Sequence, residues 1–104
     1  VALAHWVLPS AAYVEKDGTF VNCHGRVQRI GRAFAPLGEA REDWRILLEL
    51  AGKLGLTLDW RGPEEIFQGL SQALAPFQGL SYETIGGQGA EVARAGPTAG
   101  AAAP

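Results

Sequence analysis

The chain has 104 residues, 47% hydrophobic and 19% charged, with a net charge of −2, which suits one domain or part of one. Its scattered Lys and Arg leave no electrostatic footprint for nucleic acid or an anionic membrane, and it has no apolar run of about eighteen residues that would cross a bilayer. Cys23 is the single cysteine, so an internal disulfide is excluded, an iron–sulfur cluster would lack its usual set of thiolates, and a reduced intracellular compartment fits.

Val1 to Pro9 reads VALAHWVLP. Its β-branched and aromatic residues predict a buried strand that Pro9 closes by removing a backbone donor. So apolar a strand suits a parallel sheet covered on both faces. The stretch is too short and lacks the basic residues of a secretory signal; with no methionine in the chain and an opening inside this apolar run, the first residue is expected to be a cut edge inside a longer protein.

Residues 10–32 are rich in turn signals. Asp17-Gly18 predicts a tight turn, residues 19–22 a short strand, Gly25 a second turn, and residues 26–30 a second extended segment. Pro36, Leu37 and Gly38 form a loop. Glu39 to Leu54 predicts the main helix, with Trp44, Leu47, Leu48, Ala51 and Leu54 on one stripe. Ile46 and Leu50 widen that face, so the helix is expected to pack on two sides. Glu39, Glu42 and Asp43 precede Lys53 along it, which complements the macrodipole, and Gly55 is the expected cap. Residues 56–60 predict a brief extended stretch.

Gly62-Pro63 starts a second helix, with Ile66, Phe67, Leu70 and Leu74 as its stripe, and Pro76 ends it. Phe77 to Ile85 is expected to be a loop with an apolar anchor. From Gly86 the composition turns to Gly, Ala and Pro, which predicts a linker or flexible tail over 86–104. Residues 1–85 then form the α/β part.

Local chemistry is sparse. His5 beside Trp6 reads as a core histidine. Cys23 and His24 are adjacent, which is neither metal-ligand spacing nor a nucleophile–base arrangement on an extended segment. Glu15, Lys16 and Asp17 read as a solvated turn in preference to a carboxylate pair. Gly86-Gly87-Gln88-Gly89 lacks the lysine and following helix of a phosphate loop and reads as linker.

A longer pattern is more specific. Val7-Leu8-Pro9 is followed by Glu15, Gly18, Thr19, Asn22, Gly25, Arg26 and Gln28, then by Pro36, Gly38, Glu39 and Ala40, then by Asp43-Trp44 and a leucine-rich helix. This order resembles a segment of molybdopterin oxidoreductases. The stretches PEEIF at 63–67 and FQGLSY at 77–82 resemble the next segment of formate-dehydrogenase-like members. His24 stands where many relatives carry an acidic residue, which tilts the resemblance towards the large iron–sulfur subunit of respiratory NADH–quinone oxidoreductase.

The resemblance implies an α/β fragment of a larger multi-domain fold, with short strands and two main helices. It implies a scaffold and subunit-packing role in a peripheral arm on the cytoplasmic side of the inner membrane. The rest of the subunit and other subunits of the respiratory complex would be its partners. The parent would pass electrons from NADH through iron–sulfur clusters towards quinone. This segment itself would bind no metal or cofactor and hold no catalytic residue. The alternative is a piece of a catalytic molybdopterin enzyme such as a formate dehydrogenase. In that case Thr19, Asn22, Gly25, Arg26 and Gln28 would be the candidates for contact with the cofactor.

Overall fold

A computed structural model describes residues 2–92. The chain divides into two compact units, Val1–Gly18 with Ile30–Pro63, and Thr19–Arg29 with Glu64–Pro104. The elements in chain order are β1 (Gly18–Val21), β2 (Arg26–Ile30), α1 (Asp43–Lys53), α2 (Pro63–Ala73), α3 (Tyr82–Ile85) and β3 (Ala90–Glu91), with short 3-10 turns at Tyr13–Glu15 and Ala75–Phe77. The α/β class is evident in this mixture.

In the first unit the predicted strand over 1–9 does not form. Residues 2–9 are irregular and exposed, Leu3 at 98% and Trp6 at 90%. A strand needs a ladder partner, and the parallel bridge nearest to it, Ser10 to Arg41, begins just after Pro9. There Ala11 donates its N–H to the Arg41 carbonyl at 2.8 Å, and Arg41 donates to the Pro9 carbonyl at 3.1 Å. Ala11 is buried under this crossing. His5 is exposed and not a core residue.

The first helix starts four residues later than its acidic run suggested. Gly38 has φ +57°, Ala40 donates to Leu37 in a turn, and Glu42 is extended at φ −59°, ψ 136°. Backbone committed to a turn and a bridge cannot also be helical. Trp44, Leu48 and Ala51 are half-buried, whereas Leu47 and Leu54 are exposed. The packed face is therefore narrower than the predicted stripe, and no residue of α1 is fully buried. The end is as expected: Gly55 has φ +85°. Its N–H reaches the Gly52 carbonyl at 3.1 Å, and that of Leu56 reaches Ala51 at 2.9 Å. These two bonds make a Schellman cap, which satisfies the helix's last carbonyls. Residues 56–60 form no ladder.

The second unit holds a sheet in the order β1-β2-β3. β2 pairs antiparallel with β3, Arg26 opposite Glu91 and Val27 opposite Ala90. Its core is Val27, Phe67 and Ile85, with Leu70, Phe77, Leu80, Tyr82, Ala90 and Val92 packed around them. The Phe67 ring meets Phe77 edge-on at 6.2 Å and Tyr82 at 5.7 Å, arrangements that aromatic quadrupoles favour. α2 begins at Pro63 as predicted, where a missing N–H costs nothing.

Two differences fall after it. The expected loop over 77–85 contains α3, because Ser81 and Thr84 cap each other. The Thr84 N–H donates to Ser81 Oγ at 3.2 Å, and the Ser81 N–H to Thr84 Oγ1 at 2.8 Å. Ordered pairing also continues past Ile85. Ala90 and Glu91 form β3, and the Val92 N–H donates to the Gly25 carbonyl at 2.8 Å. The remainder of the predicted tail, 93–104, lies outside the described residues.

Candidate functional site

The β1–β2 hairpin carries the predicted contact residues, and its loop is organised by one side chain. Asn22 Oδ1 accepts the backbone N–H groups of His24 and Arg26, both at 2.9 Å. The Asn22 N–H donates to the Arg26 carbonyl at 3.0 Å, and its own carbonyl accepts from Gly25 at 3.0 Å. Gly25 completes the turn at φ +81°, a value a side chain would oppose. The N-x-x-G-R spacing is thus a requirement of the turn: acceptor, two residues of arc, a left-handed position, and the first residue of the returning strand.

The other residues divide by position. Arg26 is half-buried and its Nε donates to the Gln88 carbonyl at 3.1 Å. Val27 next to it is fully buried, and Gln28 is exposed. Thr19 is half-buried on β1. Arg29 lies over the Tyr82 ring at 4.5 Å. Cys23 and His24 are exposed in the loop. Asn22, Gly25 and Arg26 are therefore brought together by hydrogen bonds, and Gln28 joins Arg26 in flanking Gly89.

Sequence reasoning missed the partner that locks this hairpin. Gly89, at φ +81°, passes so close to β2 that a Cβ there would lie 2.5 Å from the Val27 carbonyl oxygen and 2.8 Å from Gln28 Cγ. The GGQG stretch is neither linker nor phosphate loop; its last glycine permits a close backbone approach. A glycine directly ahead of the strand-capable Ala90-Glu91-Val92 was the available signal.

A second polar cluster lies in the first unit, where a solvated turn was expected. Glu15 is buried and accepts the Ala12 N–H at 2.8 Å. Asp17 Oδ1 accepts the Arg32 N–H at 2.9 Å. Glu42 is buried too, with Arg45 Nε at 2.9 Å from its carboxylate. Asp43 bonds both Lys16 and Ser10. The Lys16 ammonium and the Ser10 hydroxyl hold the Asp43 carboxyl below its ordinary range, against a smaller opposing effect of burial. The cluster is a clasp: these oxygens already serve backbone amides and cations. Among the described residues no three His, Cys, Asp or Glu side chains could hold a metal ion, and no helix is long and apolar enough to cross a membrane.

Comparison with known proteins agrees with the pattern. The family description "Molybdopterin oxidoreductase" matches residues 1–53. A Staphylococcus aureus protein (strain bovine RF122 / ET3-1) named "Putative formate dehydrogenase" is 41% identical over 81 residues, 78% of this chain and 8% of that protein. Similarly named proteins of strains MRSA252 and USA300 are 38% and 37% identical over the same share of each chain. The chain thus spans 8% of the length of these relatives.

Proposed function

The chain belongs to the molybdopterin oxidoreductase family, and from that premise we propose that it is a scaffold segment of an enzyme of formate-dehydrogenase type, supplying packing and no reacting group. The parent would oxidise formate to carbon dioxide, releasing two electrons and a proton. The 41% identity over 81 residues to a protein of that name carries the reading. It favours this parent over the NADH–quinone subunit, and the peripheral arm, the respiratory partner subunits and the inner-membrane location go with the disfavoured reading.

The family implies a molybdopterin cofactor in the parent. In this reading the hairpin residues first of all build the turn. Asn22 Oδ1 is occupied by two loop amides and Arg26 Nε by Gln88. Gln28 and Arg26 both flank Gly89, and Asn22, Gly25 and Arg26 bond one another. No step of the reaction is therefore assigned to this chain. Its contribution is to fix the hairpin and the clasp within the larger protein.

Elemental analysis and turnover of the full-length parent test both parts. Molybdenum or tungsten near one per chain, with formate-dependent dye reduction, is expected. Thr19→Ala and Gln28→Ala should keep kcat/KM within about twofold, because neither removes a transition-state contact. Iron without molybdenum or tungsten, together with NADH oxidation, would return the assignment to the respiratory subunit. A hundredfold loss in either variant would make the hairpin part of the cofactor cleft.

A further inference from the structure

We draw no further inference here: the strongest candidate, the carboxylate cluster of Glu15, Asp17, Glu42 and Asp43 that joins the Tyr13–Glu15 turn to the start of α1 in the first unit, belongs to the clasp already described, its oxygens serving backbone amides, Ser10 and the Lys16 and Arg45 cations, with no second feature that points to a ligand.

Discussion

Gly89 and Gly25 share a φ of +81° yet should respond differently to a methyl group. At Gly25 the added Cβ meets Val92 Cγ2 at 3.4 Å, a side chain that can yield, whereas at Gly89 it meets the Val27 carbonyl at 2.5 Å. Gly25→Ala should cost about 1–2 kcal/mol, the penalty of the left-handed conformation. Gly89→Ala should cost about 2–3 kcal/mol or more and detach β3, because strain adds to the clash. Urea unfolding of both variants measures the difference, and equal losses would contradict the close approach. Asn22→Ala removes an acceptor from two amides and should cost about 1–2 kcal/mol. Hydrogen exchange at the His24 and Arg26 amides should quicken, while Asn22→Asp should retain the protection.

The Asp43 clasp has a pH signature. Its carboxyl titrates below the ordinary aspartate value of 3.8, so the folded state favours the ionised form. The stabilisation is fully present above the unfolded value and disappears as pH falls through the lower folded one. Lys16 and Asp43 are 23% and 50% exposed, so screening limits the effect to roughly 1 kcal/mol or less. Asp43→Asn should differ from the unaltered chain by that amount at pH 7, and the difference should shrink as pH falls through the lowered folded-state value. A difference that stays the same at every acid pH at which the chain remains folded would show that the carboxylate charge is not responsible.

Among the elements, the two long helices differ in what they bury. α2 places Phe67 in the core at 3% exposure, whereas α1 buries no residue fully. Phe67→Ala should therefore cost about 3–5 kcal/mol, and Leu47→Ala, in the same chain, well under about 1 kcal/mol. Chemical denaturation of the two variants checks the ratio. α3 is a single turn and depends on its cap, so Ser81→Ala should cost about 1 kcal/mol.

Local signals were legible where local bonding decides. The hairpin could be read from Gly25 and the alternation over 26–30, the start of α2 from Gly62-Pro63, and the end of α1 from Gly55. The start of α1 was not legible, because Arg41 is taken by a long-range bridge to Ser10 that no helix pattern reveals. The strand expected over 1–9 failed for a related reason: composition announces a preference, but a ladder needs a partner. Of the candidate site, the N-x-x-G-R motif was legible as a pattern. Its purpose was not, since Gln88 and Gly89 stand far along the chain from it and read as linker.

At the scale of the molecule, each unit is built from two separated pieces of chain. A single cut cannot release either unit whole. The consequence concerns synthesis. Val27 leaves the ribosome 63 residues before its pairing partner, Ala90. At a translation rate of about 5–20 residues per second, the most deeply buried side chain of the second unit waits roughly three to thirteen seconds for its third strand. During that interval the free edge of β2 is a surface on which a holding chaperone can act, and the arrival of Gly89 ends the opportunity.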